Sequence, residues 1–282
     1  MNFKLAADEF LLFIETTRSK GTYKYNEQKV DILLDYFDDI LIKYINKHKV
    51  LSFIRYLRQK NPDITGQTVN KYLSTLNRII KEHTPYDVTE NKIPESTKLI
   101  NNLSDEVIHK IFSHYETHKT DHHETIRNYA FFSLLLDSGL RLSEALSLNV
   151  RDIDFRTNSI KVKQTKTKVE RYVFFTNKTK LLLFDYIQTF NVTKKLFIQR
   201  NTKPLTTENI QKVVDRLTKR LNLSTRPSPH KWRHTFATNY VNRGGSLENL
   251  RILLGHTTLQ MTQRYLHISN DQLKQEYFRI NY

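Results

Sequence analysis

Apolar side chains in the first ninety residues recur at steps of three and four, which gathers them on one face of a helix. Val30, Leu33, Leu34, Phe37 and Leu41 show the pattern, and Leu73, Leu76, Ile79 and Ile80 repeat it. Four helices are predicted, over residues 3–17, 30–45, 50–57 and 69–80. Residues 90–102 are polar, contain Pro94 and break the periodicity, so they read as a linker. The expected organisation is a helical domain over 1–90, a linker over 91–102 and a second domain over 103–282.

Past the linker, Ser104 followed by Asp105 and Glu106 predicts a helix start, with a capping hydroxyl and acids in the first turn. A long apolar helix then runs to Gly139, a residue suited to ending it. Between 152 and 175 the period changes to two. Ile160 and Val162 alternate with Lys161 and Lys163, and residues 172–175 are aromatic and β-branched. A small β-hairpin is predicted there, with residues 164–168 at its polar tip. Helical patterns resume at 181–190 and 208–221 and continue to the end. The fold class is therefore mainly helical with a small β-hairpin or sheet, in two domains.

Charge sharpens this picture. The 282 residues carry 45 Lys and Arg against 29 Asp and Glu, a formal net charge of +16. Residues 156–233 alone hold 19 bases and 4 acids. Such density points to a polyanionic partner, because neutralising phosphates drives sequence-independent binding to nucleic acid. There is no cysteine, which rules out a disulfide scaffold, a thiolate metal site and a cysteine nucleophile. No apolar run approaches the ~18 residues that span a bilayer, and the first residues lack a signal-peptide pattern, so a cytoplasmic protein is expected.

The candidate chemistry lies in the second half. Arg141 stands just beyond the predicted helix stop at Gly139, within the run Ser138 to Glu144. Lys166 is at the hairpin tip. His230 and Arg233, at i and i+3, share a helix face and can meet one ligand group. His230 and His234 have a spacing that metal ligands use, but Lys231 and Arg233 would repel a cation, so no metal is expected. His256 and Tyr265 are nine residues apart, about 900° of continuous helix, and converge only if the chain breaks between them. Thr257 and Gln260 form a capping-box pattern that supplies the break. Tyr265 is then expected more than two turns into a new helix, and a second capping box at Ser269 to Gln272 predicts a separate C-terminal helix.

This ordered set resembles the tyrosine recombinase (phage lambda integrase) family, in the compact layout of its Xer-like members. The resemblance covers essentially the whole chain and rests on SGLRLSEAL (138–146), TKTK (165–168), HKWR (230–233), LGH (254–256) and Tyr265. It implies a four-helix SAM-like core-binding domain followed by a catalytic domain. It also implies that Arg141 and Arg233 clamp a DNA phosphate and that Tyr265 attacks it. Lys166 would protonate the leaving oxygen, His230 would move the tyrosine proton, and His256 would hydrogen-bond the phosphate. Family hairpins often place a glycine beside the lysine; QTKTK has none, and Lys168 is the alternative to Lys166. Glu144 matches an acidic position that supports the first arginine.

The resemblance further implies a covalent 3′-phosphotyrosyl intermediate that needs no ATP, metal or cofactor. It implies a homo-tetramer on two double-stranded DNA core sites that exchanges strands through a Holliday junction, with room for an accessory or partner recombinase. Lys71, Tyr72, Arg78 and Lys81 on the last N-terminal helix, and Lys161, Lys163 and Lys168 on the hairpin, are the expected DNA contacts. The C-terminal helix over 270–280 is expected to dock on a neighbouring subunit, with packing within its own domain as the alternative. Two other readings remain at this stage: a sequence-specific DNA-binding protein without catalysis, and a type IB topoisomerase.

Overall fold

The computed structural model describes residues 1–84, 86–94, 102–118, 122–163, 170–263, 265 and 278. The chain divides into two compact units, Met1–Lys98 and Leu99–Tyr282. Each has its own apolar core.

The first unit is built from α1 (Phe3–Thr17), α2 (Lys20–Phe37), α3 (Lys47–Lys60) and α4 (Gly66–Ile80). Each start is fixed locally, because the side chains of Asn2, Ser19, Asn46 and Thr65 accept a backbone N–H of the first turn. Phe3, Phe37 and Phe53 meet at the centre with ring centroids 5.2–5.3 Å apart. The helix expected over 30–45 is displaced. It begins at Lys20, in a polar stretch whose periodicity is silent, and stops at Phe37. Asp38 then turns the chain at φ 20°, and Ile40 and Ile42 hydrogen-bond back to Phe3 and Met1. Ile42 and Ile45 are buried through this loop and a short 3-10 turn, so their apolar spacing reflects burial without an α-helix.

The second unit contains α5 (Asp105–Thr117), α6 (His123–Ser138), α7 (Leu142–Ser147), β1 (Ile153–Asp154), β2 (Ser159–Val162) and β3 (Arg171–Phe174). These are followed by α8 (Asn177–Thr189), α9 (Thr207–Arg220), α10 (Pro229–Asn242), α11 (Leu247–Leu254) and α12 (Gln260–Gln263). Ser104 caps α5 as its sequence predicts, accepting from the Val107 N–H. Helix α6 is buried on nearly every side from Ile126 to Leu135, which makes it the axis of the unit. Trp232 from α10 is fully buried and stacks against Phe112 and Phe132. The strands form one antiparallel sheet in the order β1-β2-β3, with Ile160 opposite Val173 and Val162 opposite Arg171. The sheet thus has one strand more than the predicted hairpin. Its tip, with Lys166 and Lys168, and the C-terminal capping box and helix lie outside the described residues.

Candidate active site

Helix α6 ends at Gly139, whose φ of 60° and ψ of 22° form a left-handed cap. A Cβ there would sit 2.3 Å from the Phe236 ring, so both the backbone angle and the packing require glycine. The turn delivers Arg141 to the start of α7. Glu144, three residues on, accepts from the Arg141 backbone N–H at 2.8 Å and from its guanidinium at 2.9 Å. The same carboxylate takes two hydrogen bonds from Arg171 of β3, at 3.0 and 2.8 Å. Burial alone would push the Glu144 carboxyl up. The hydrogen bonds and charge of Arg171, with help from Arg141, outweigh it and hold the group below its ordinary range.

Three arginines from three elements converge on the C-terminus of α11. Arg171 donates to the Leu253 carbonyl at 2.8 Å, Arg233 to the Leu254 carbonyl at 2.7 Å and Arg141 to the Gly255 carbonyl at 3.0 Å. The last carbonyls of a helix lack intrahelical partners and carry the negative end of its dipole, so they suit cations. Gly255 exposes them by closing α11 in the left-handed conformation. Arg233 also donates to the Gly139 carbonyl at 2.7 Å, tying the end of α6 to the end of α11. Burial, then the charge of Arg141, pulls the Arg233 guanidinium down to about 9, so it stays protonated at neutral pH. Arg141 and Arg233 each spend two of five N–H donors on these anchors, and three remain for a ligand.

His256 follows directly, buried, with Nδ1 2.9 Å from the Thr262 hydroxyl. Tyr265 is also buried, against Ala237, Leu250 and Leu254. Its hydroxyl lies 2.8 Å from Nδ1 of His234, the residue after Arg233 on α10. His230, one turn earlier, is exposed at the N-terminal end of α10. The expected course between His256 and Tyr265 needs correction. Helix α12 has only four residues, and Tyr265 follows it in a turn, with its N–H on the Thr262 carbonyl. The break in the chain is present, but the His256–Thr262 bond folds it into a tight loop, and the Thr257 hydroxyl turns to the Met261 sulfur.

Sequence reasoning missed Arg171 and His234. Arg171 alternates with the exposed Tyr172 and Phe174 and faces inward with Val173, as the two-residue period of a strand dictates. In the sequence, His234 stands out only by its metal-ligand spacing from His230. Of the hairpin residues, Lys161 pairs with Glu170 at 2.6 Å and Lys163 is exposed. In the first unit, Lys71 and Arg78 line one groove of about 490 Å³ between α2 and α4. Lys81 lines a different cavity beside α1, and Tyr72 is half-buried with its ring edge-on to Phe53, so neither joins that groove.

Comparison with known proteins bears on this arrangement. Residues 101–272 match the model of the phage integrase family, and residues 2–99 match the phage integrase SAM-like domain. The tyrosine recombinase XerC of Staphylococcus carnosus is 28% identical over 282 residues, covering 95% of this chain and 93% of that protein. The tyrosine recombinase XerA of Saccharolobus solfataricus is 43% identical over 146 residues, 52% of this chain and 47% of that protein. Among solved structures, the Tn1549 transposon integrase in complex with a circular intermediate DNA has a TM-score of 0.83 at 19% identity, covering 99% of each chain. A lambda integrase dimer bound to a core site has a TM-score of 0.77 at 16% identity, covering 94% of this chain and 95% of that one. At these identities the structural likeness is one of fold.

Proposed function

This chain belongs to the phage integrase family and is a tyrosine recombinase, and from that premise we propose that Tyr265 attacks a DNA phosphate gripped by Arg141 and Arg233. The observation that carries the proposal is the pair of guanidiniums anchored to neighbouring carbonyls of α11 with donors to spare. A phosphodiester resists an incoming oxygen because its own non-bridging oxygens repel it. Two fixed guanidiniums neutralise those oxygens and gain strength as charge builds in the transition state.

The Tyr265 oxygen forms a bond to phosphorus while the bond to the 5′ oxygen breaks, leaving a 3′-phosphotyrosyl link and a free 5′ hydroxyl. A phenol attacks only as it gives up its proton, so that proton needs an acceptor. His234 already holds the hydroxyl, and His230, exposed at the head of α10, takes the proton once DNA is in place. Lys166, or Lys168, protonates the leaving 5′ oxygen, and His256 hydrogen-bonds the phosphate. Glu144 touches no substrate; it positions Arg141 and neutralises Arg171. The phosphotyrosyl bond conserves the energy of the broken one, so rejoining to a new 5′ hydroxyl needs no ATP.

We read the whole transaction as site-specific exchange between two double-stranded core sites by a homo-tetramer in the cytoplasm, through a Holliday junction, for integration, excision or resolution. Full-length likeness to XerC supports that reading over DNA relaxation or binding alone. The test is covalent trapping on a nicked duplex carrying the chain's target site. Wild type should give a protein–DNA adduct on a denaturing gel and Tyr265→Phe none. An adduct from the phenylalanine variant removes the assignment.

A further inference from the structure

Asn102 and Leu103 open the described part of the second unit, and two threonines of α10 hold them. The Leu103 N–H donates to the Thr235 hydroxyl at 2.9 Å, and the Asn102 side-chain amide donates to the Thr238 hydroxyl at 2.9 Å. Thr235 is buried, and its own hydroxyl proton goes to the Lys231 carbonyl at 2.8 Å. One oxygen thereby accepts from the incoming chain and donates to its own helix. The Asn102 carbonyl oxygen is buried without a hydrogen bond, so this side chain is kept for Thr238 despite an unmet acceptor.

The helix on which these contacts fall gives them their interest. Successive residues of α10 turn by about 100°, so Arg233 and Thr235 face nearly opposite sides, about 160° apart. Arg233 ties one side to the Gly139 and Leu254 carbonyls. Thr235 ties the other to Leu103. His230 and His234 lie on the arc between them, and Thr238 continues their row one turn further on. The helix is thus restrained on both flanks of its histidine face. At roughly 6 Å from the axis, a rotation of about 10° carries a side-chain atom sideways by about 1 Å. A displacement of that size can slow a reaction about 10²-fold.

We propose that Thr235 and Thr238 are positioning residues for DNA cleavage. By strapping Leu103 and Asn102 to α10 they fix the rotation of that helix, and so the setting of His230 and His234 against Tyr265. Both act through the histidines. His234, 2.8 Å from the Tyr265 hydroxyl, is where the strap is felt first. The inference deepens the proposed function and rests on the reading that Tyr265 attacks a phosphate.

The test uses the full chain with Thr235→Val, Thr235→Ser and Thr238→Val. The rate constant and amplitude of adduct formation are followed in single turnover over a concentration series of the nicked target duplex, beside thermal unfolding. Thr235→Val keeps the branched shape and loses the hydroxyl, and it should lower the rate constant at saturating DNA by about 10- to 100-fold. The half-saturating DNA concentration should stay at the wild-type value, since the loss lies in the transition state and not in binding. Thr235→Ser, which keeps the hydroxyl, should cleave at the wild-type rate. Thr238→Val, at a half-buried position, should slow the same step by a smaller factor. A purely structural role would give a lower melting temperature and a smaller amplitude with the wild-type rate constant, and that result overturns the proposal. A serine variant as slow as the valine one also overturns it, by putting the effect in the methyl group. A wild-type rate constant in a folded valine variant strikes out that threonine, and in both it removes the strap. If Thr235→Val does not fold, Thr238→Val decides alone by the same criterion. A wild-type chain that forms no adduct, or a Tyr265→Phe chain that does, overturns the reading of Tyr265 and this one with it.

Discussion

Arg171 and Lys29 are both buried cations, one in each unit, and they are held in opposite ways. Arg171 meets Glu144 through two hydrogen bonds and the Leu253 carbonyl through a third. Lys29 has a tyrosine face and a buried ammonium without a hydrogen bond. The second unit has neutralised its buried charge within itself, so Arg141 and Arg171 are held in place by the protein alone. Preorganisation belongs where bonds are made and broken, since only there must geometry be right without rearrangement.

The largest way to break this contrast is to remove the shared carboxylate. Glu144→Ala strands Arg171 without a counter-charge and should cost about 3–5 kcal/mol of stability, read by urea unfolding. The same pair sets a pH signature. The Glu144 carboxyl is lower in the folded chain than in the unfolded one. Its contribution is therefore complete above the ordinary carboxylate range and is lost as pH falls through the folded value. Glu144→Gln should flatten that part of the acid limb.

Next in size is Arg141→Lys, which keeps the charge and loses the planar fork. Cleavage should fall by about 10²–10³-fold with unfolding close to wild type, in a single-turnover assay on nicked DNA. Equal loss of DNA affinity would place Arg141 in binding and not in the clamp. Gly139→Ala follows, at roughly 1–3 kcal/mol, from the positive φ and the contact with Phe236. A neutral result in thermal unfolding would mean that the turn can rearrange. His234→Ala should be smallest, about 1 kcal/mol for the lost hydroxyl partner. Its effect should show as faster modification of Tyr265 by a phenol-directed reagent, and unchanged reactivity would deny His234 its hold.

These contrasts also explain what was legible in the sequence. Caps, helix starts and the turn at Gly139 depend on neighbours within four residues, and Ser104 and Gly139 behave as their local chemistry dictates. The convergence on α11 does not. Arg171 reaches Glu144 from 27 residues away and Arg141 reaches Gly255 from 114, distances that no periodicity encodes. The polar opening of α2 was hidden because its first two turns bury little, and the apolar run through Leu41 pointed past its true end. Tyr265 shows both sides. A chain break before it was readable from Thr257 and Gln260, but its partner His234 lies 31 residues back on a helix that packs against it only in three dimensions. Lys29 was invisible for a further reason: a lysine in a polar stretch reads as a solvated one until its burial is seen.

The most direct test of the central claim is to locate the bond. The covalent complex trapped on a nicked duplex should be digested with nuclease and protease and its peptides weighed. A nucleotide 3′-phosphate is expected on the peptide containing Tyr265, at the tyrosine itself. Strand cleavage with the adduct on another residue would contradict it.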